Sequence, residues 1–206
     1  PSSLSSDPPT LRQVVAHTLE IGVRGTLRPS EGADARIAWN VSLFHTDLDD
    51  DIYGVATSLN AGFFQNIDGT RRQGVEAGVN YKDERLSGYV SYSFVDATFL
   101  SNLTLHAPLN PFQDADGNIH VEPGDHLPGI PRHRIKAGLD YLLFGDLTVG
   151  ASLAYVSDQF FRGDESNQMS PLPGYAIVNI HSTFRVDEDI EFFAAVENVL
   201  DKRYAT

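Results

Sequence analysis

Residues Leu147–Tyr155 read "LTVGASLAY". Leu147, Val149, Ala151, Leu153 and Tyr155 fall on one side of a two-residue repeat, and Thr148, Gly150, Ser152 and Ala154 on the other. Successive side chains of a β-strand point to opposite faces, so this stretch is a strand with one apolar and one small, polar face. The same sorting recurs along the chain. Ile135, Ala137, Leu139 and Tyr141 oppose Lys136, Gly138 and Asp140. Val75, Ala77, Val79 and Tyr81 oppose Glu76, Gly78 and Asn80. Leu19–Arg24, Arg36–Leu43, Ser87–Phe94, Val178–Phe184 and Glu191–Glu197 repeat the pattern, which predicts eight strands and no helix.

The polar faces decide what kind of sheet these strands form. A β-sandwich also alternates, but its solvent face is rich in Thr and Lys. Here the polar positions carry Gly, Ser, Asn, Ala and Glu, which suit a crowded or watery lumen behind an apolar face turned to lipid. The connections follow the same logic. Arg28–Ala35, Lys82–Arg85, Gly145–Asp146 and Asp187–Asp189 are short. The intervening stretches, Leu48–Arg72, Leu100–Arg132 and Asp158–Gly174, are long and are expected as loops. Alternating short and long connections belong to a barrel with one end in the periplasm and the other outside. Tyr81, Tyr141, Phe144 and Phe184 flank the short turns, as an interfacial aromatic girdle does.

With a short first turn, the first strand begins and the eighth ends on the extracellular side. Single-chain bacterial barrels keep both termini in the periplasm, and two bare sheet edges do not survive in lipid. The expectation is therefore an incomplete piece of a larger barrel, with residues 1–16 as the end of an incoming extracellular loop and residues 17–206 as barrel wall.

Composition narrows the partners. The formal net charge of −13 repels nucleic-acid phosphates, so no nucleic-acid partner is expected. The chain has no cysteine, which removes disulfide and thiol chemistry. No apolar run approaches the roughly 18 residues of a transmembrane helix. "PSSLSSDPPT" has no charged n-region and no apolar h-region, so a signal peptide is expected upstream.

Four stretches carry a resemblance. "LEIGVRG" (Leu19–Gly25), "NIDGTRRQGVEAGVNY" (Asn66–Tyr81), "LPGIPRHRIKAGLDY" (Leu127–Tyr141) and "FAAVENVLDKRYAT" (Phe193–Thr206) resemble, in order and spacing, the C-terminal barrel signatures of TonB-dependent outer-membrane receptors. The resemblance implies an all-β fold, here eight antiparallel strands of a normally 22-stranded transmembrane barrel with its plug, early strands and last strand absent. It also implies the outer membrane of a Gram-negative bacterium, outer-membrane lipid and the chain's own plug domain as partners, and the TonB complex acting through that plug. The cargo it implies is a scarce nutrient, foremost a ferric siderophore or another iron chelate, with no catalysis. A passive porin-like or adhesion barrel and a secreted β-sandwich binding module are the alternatives.

In the long connections, "FRGDESNQ" places Phe160, Phe161, Arg162, Asp164, Glu165 and Asn167 where an extracellular loop first meets a ligand. The Arg-Gly-Asp tripeptide inside it is too common to carry an adhesion reading. In "DADGNIHVEPGDH", Asp114, Asp116, Asn118, Glu122 and Asp125 are the candidate oxygen ligands for a loop-bound calcium. Gly117 sits fourth from Asp114, out of register with an EF-hand loop, and Asp-Gly also signals a hairpin turn. His106, His120 and His126 are the candidates for a haem axial ligand, set against simple solvation. Glu20, Arg24, Arg36, Glu76, Lys136, Asp140, Glu191 and Glu197 share the lumen-facing parity, where opposite charges can pair across strands. No nucleophile elbow or phosphate-cradling glycine loop is present.

Overall fold

The computed structural model describes residues 10–29, 34–58 and 61–205. Ten strands and no helix are present among them: β1 (Val15–Leu27), β2 (Arg36–Ser58), β3 (Ala61–Lys82), β4 (Leu86–Phe99), β5 (Leu103–His106), β6 (Asn118–Val121), β7 (His133–Phe144), β8 (Leu147–Val156), β9 (Tyr175–Arg185) and β10 (Glu191–Val196). Eight of them form one antiparallel sheet in the order β1-β2-β3-β4-β7-β8-β9-β10, and β5 and β6 form a separate hairpin. The eight strands thus make a single wall rather than two facing sheets, and the β-sandwich alternative falls away. Pro1–Pro9 of the proposed incoming loop, and part of the first short turn, lie outside the described residues.

Register converts the alternation into two faces. Leu139, Ala151, Ile180 and Val196 stand in one cross-strand row, and Ala137, Leu153 and Val178 in the next. Between these rows the other face carries Gly138, Ser152 and Asn179, then Asp140, Gly150 and His181. Because the period is two, a slip of one residue would exchange these faces completely. The apolar face is bare: Leu19 is 73% exposed, Ile21 70% and Phe192 62%. A face of this kind costs about 25 cal/mol per Å² in water and nothing comparable in lipid.

The band has two visible edges. At the short-turn end stand Tyr141, Phe144 and Phe184, all exposed. At the other end the outward positions turn polar: after Leu43 on β2 come His45 and Asp47, before Val75 on β3 come Gln73 and Arg71, and after Phe94 on β4 comes Asp96. Asp47 takes Arg71 across the strands at 2.7 Å, and Asp96 takes Arg132 at 3.4 Å. Charges closing their own pairs above an apolar band place the spanning segments below Asp47.

Two of the stretches expected as loops contain strands: Leu100–Arg132 holds the β5–β6 hairpin, which its broken alternation did not announce, and Leu48–Arg72 is not a loop at all. Leu48–Arg72 was expected as a long connection, yet β2 runs to Ser58 and β3 starts at Ala61. Together they make a ribbon more than twice the roughly 10 residues that cross a membrane. Asp50 adopts φ 54°, and beyond it the alternation inverts. Asp51 and Tyr53 then reach the side occupied by Thr70 and Phe99. A fixed period of two misses such a kink, so the sequence pattern broke at the point where the strand continued.

The buried core does not lie between sheet layers. It sits at the end of the sheet that carries the long connections, the end expected to be extracellular, where Ile67, Ala97, Phe99, Leu105, Ile119, Val121 and Leu127 pack together.

Candidate ligand-receiving site at the extracellular end

Three long connections build the extracellular end: the β2–β3 ribbon, residues 100–132 with the β5–β6 hairpin, and residues 157–174. The second folds back along β4. Leu127 and Phe99 donate their amides to Ala97 and Asp125, and Gly124 donates to Phe99. This return seats Leu105, Ile119 and Val121 of the hairpin against Phe99 and Ile67. The hairpin turn is made by Asp114, whose Oδ1 accepts from the amides of Asp116 and Asn118, each at 2.9 Å. The amide of Asn118 is the main cause of its carboxyl lying below the usual range.

Polar locks join the three segments. The Tyr53 hydroxyl donates to Glu165 Oε1 at 2.9 Å, and the Gly163 amide donates to the same oxygen at 3.1 Å. Asn110 Nδ2 donates to the Gly163 carbonyl at 2.7 Å. Asn167, in the left-handed region at φ 53°, accepts from the His126 amide and donates Nδ2 to the His126 carbonyl at 3.1 Å. Asp164 is fully buried and accepts the amides of Gln168 and Met169 at 3.0 Å each. Burial first, and then the Glu165 carboxylate, push the Tyr53 hydroxyl far above its ordinary value, so it remains a donor. At the ribbon base Asp51 Oδ2 accepts from Thr70 Oγ1 at 2.6 Å and from Arg72 at 3.3 Å. A loop set this densely bonded is one packed cap.

The six residues of the "FRGDESNQ" region divide accordingly. Asp164, Glu165 and Asn167 spend their polar atoms on the cap itself. Arg162 is exposed, and its guanidinium lies over Gly54, 3.7 Å from where a β-carbon would stand. Phe160 is half-buried and stacks on the His126 ring at 6.0 Å, and Phe161 is half-buried beside it. Tyr53 and Asn110, which hold this loop, gave no sequence signal, because their partners are 112 and 53 residues away. Two apolar side chains, Leu109 and Phe112, flank the anchored Asn110 and stand exposed.

The candidate calcium ligands occupy both ends of β6. Asp114, Asp116 and Asn118 lie at its start, and Glu122 and Asp125 lie beyond its end, where Asp125 Oδ2 accepts the Glu122 amide at 2.8 Å. Burial raises the Asp125 carboxyl. Among the described residues no three His, Asp or Glu side chains gather in an arrangement that holds a metal. The three candidate histidines each have a neighbour: His106 is beside Asn118 at 3.4 Å, His120 is 3.1 Å from Asp114, and His126 is 3.2 Å from Asp96.

Below the cap, two of the eight lumen-parity charges, Asp140 and Glu191, find partners outside that set, and no two of the eight pair with each other among the described residues. Asp140 and His181 meet at 2.6 Å across the intervening β8, and Arg185 meets Glu191 at 3.4 Å. The first contact exists because Gly150 stands between them, and a β-carbon there would collide with both side chains.

This architecture has known counterparts. The ferric-pyoverdine receptor PbuA of a Pseudomonas species is 25% identical over 202 residues, covering 96% of this chain and 22% of the receptor. The solved ferric-catecholate import receptor Fiu from E. coli superposes with a TM-score of 0.64 at 20% identity, over 94% of this chain and 24% of that one. The copper transporter OprC gives the same TM-score at 17% identity, over 95% of this chain and 27% of that one. The chain spans about a quarter or less of the length of the curated relatives it matches. Residues 1–199 match the family described as TonB dependent receptor-like, beta-barrel. With a single eight-stranded wall, one bare apolar face and a cap over the end that carries the long connections, this chain belongs to that family of receptor-like β-barrels.

Proposed function

We propose that this chain forms one part of the wall and three extracellular segments of an outer-membrane importer in a Gram-negative bacterium, and that its cargo is an iron chelate of the siderophore type. The observation that carries the reading is the packed extracellular cap. A passive pore gains nothing from tying three long connections together with buried carboxylates, whereas a receptor gains a pre-organised surface that loses little entropy on binding. On that surface Arg162 supplies a cation for an anionic chelate, and Phe160, Phe161 and Phe112 supply aromatic area. A relative named as a ferric-pyoverdine receptor supports iron over other cargo. The TonB complex, acting on a plug carried by the remainder of such a receptor, would power transport. The barrel wall itself does not discriminate cargo, since a copper transporter shares it as closely as an iron receptor does.

The test is uptake of radiolabelled ferric siderophores by cells lacking the receptor gene, with the gene restored intact or as Arg162→Glu. Deletion should abolish uptake of one chelate class, and R162E should weaken binding about tenfold or more, the value of a charge-assisted contact. Normal iron uptake together with lost copper uptake would redirect the reading to copper.

A further inference from the structure

The motif stretch "ENVLDKRYA" (Glu197–Ala205) leaves the wall in a built turn. β10 stops at Val196, and Asn198 and Asp201 then take the left-handed region at φ 50° and 46°. The Asn198 amide donates to Asn179 Oδ1 at 2.8 Å. Its side chain accepts from the Lys202 amide at 3.0 Å and donates to the Lys202 carbonyl at 3.1 Å. Tyr204 then stacks on Tyr175, with ring centres 4.3 Å apart. Lys202 and Arg203 are therefore held between two anchors on β9, and both are exposed.

Register shows which side this turn occupies. Tyr175 and Asn179, its two anchors, alternate onto the face shared with His181, Gly150 and Asp140, the lumen face. On that face Arg134 shares a cross-strand row with Val156 and Tyr175, and Lys136 shares the next with Ala154 and Ile177. Two strand spacings of about 4.8 Å put Arg134 roughly 10 Å from Tyr175. Arg134 follows His133, whose carbonyl accepts the Ser157 amide where the third long connection begins. Four exposed cations, Arg134, Lys136, Lys202 and Arg203, thus gather on the lumen wall just beneath the cap. Glu76 lies two strands from Arg134 along the row through Ser93, and Glu197 and Asp201 belong to the turn. Neither these carboxylates nor any other pairs with the four cations among the described residues. Like charges gathered in this way repel one another until an anion joins them.

We propose that Arg134, Lys136, Lys202 and Arg203, with the Tyr175–Tyr204 stack, form a second binding site for an anionic, ring-bearing chelate on its way down from the cap. The inference rests on the iron-chelate reading of the cargo and on the lumen-facing reading of this side. The cations draw an oxyanion-rich complex, and the fixed tyrosine pair offers an aromatic face to its rings. A neutral chelate gains nothing from the cations. An acidic polypeptide segment needs the cations alone, whereas the aromatic stack held beside them matches an anion that carries rings.

The complete receptor, purified in mild detergent, would be titrated calorimetrically with ferric tricatecholate, ferric citrate and a neutral ferric trihydroxamate. The parent should bind the tricatecholate tightest and the trihydroxamate weakest. Lys202→Gln with Arg203→Gln should weaken tricatecholate binding about tenfold, the value of a charge-assisted contact, and flatten its salt dependence, with trihydroxamate binding unchanged. Arg134→Gln, in the wall rather than the turn, should act in the same direction. Tyr204→Ala should erase the preference for the tricatecholate over citrate. Folding of each variant would be checked by heat-modifiable migration, and the double variant, at two exposed positions, should pass. Parent-like tricatecholate binding in both the double variant and R134Q would overturn this site and leave the cargo reading standing. Parent-like binding together with new ion conductance in planar bilayers would overturn it too, and would assign the cations to a polypeptide filling the lumen. A parent receptor that binds none of the three complexes would overturn the cargo reading and this site with it.

Discussion

Single residues at the extracellular end hold together segments far apart in the chain. Tyr53 is the clearest case, since its hydroxyl is one of two donors to a carboxylate only 6% exposed. Tyr53→Phe leaves Glu165 buried with a lost partner, at a cost of about 1–3 kcal/mol. The expected result in the complete receptor is faster amide exchange across residues 160–169, with exchange in β7 and β8 unchanged. Asp47 offers a pH test just above the membrane band. Its hydrogen bond from Arg71 is the first cause of a carboxyl pKa of about 2, against 3.8 ordinarily. A carboxyl depressed on folding contributes stability that is fully present above the unfolded value and lost as pH falls through the folded one. The coupling between Asp47→Asn and Arg71→Gln in a double-mutant cycle should stay flat from pH 7 to about pH 4 and vanish toward pH 2. A coupling that fades near neutrality would show that another group controls it.

Strands carry the next level. β8 stands mid-wall, with Val149 and Leu153 on the lipid side and Ser152 on the lumen side. Arginine at Val149 or Leu153 should cost about 2–4 kcal/mol at mid-membrane depth, and Ser152→Arg markedly less. Refolding into lipid vesicles followed by denaturant titration reads the difference, and equal costs on both faces would sink the assignment. Gly150 also faces the lumen, yet it is not a tolerant site, because Asp140 and His181 close over it. Gly150→Val should therefore behave like a damaging change even though its face is polar. Small residues on the polar faces were legible as the sign of a crowded lumen. Which glycine is indispensable became visible only with three neighbouring strands in register.

On the scale of the whole molecule, stability depends on the surroundings. The wall exposes Leu19, Ile21, Phe192 and Phe193, and the buried core found among the described residues lies under the cap of long connections. Expressed alone, residues 1–206 should aggregate in plain buffer and disperse only with detergent or lipid. A monomeric, cooperatively unfolding species in buffer would contradict the membrane-facing reading.

Alternation by itself determined the eight strands, the two faces and the long-short rhythm of the connections, because a period of two is a local property that each strand states in its own residues. Four short motifs, each placed by a strand end or a turn, determined the family. The tertiary structure alone decided that Leu48–Arg72 is a ribbon, because one left-handed residue at Asp50 inverts the pattern without ending the strand. It alone decided that Asp164, Glu165 and Asn167 tie the cap together, because their functions depend on partners brought near by pairing of distant segments. Burial and hydrogen bonding are properties of the assembled end, and no window of neighbouring residues contains them.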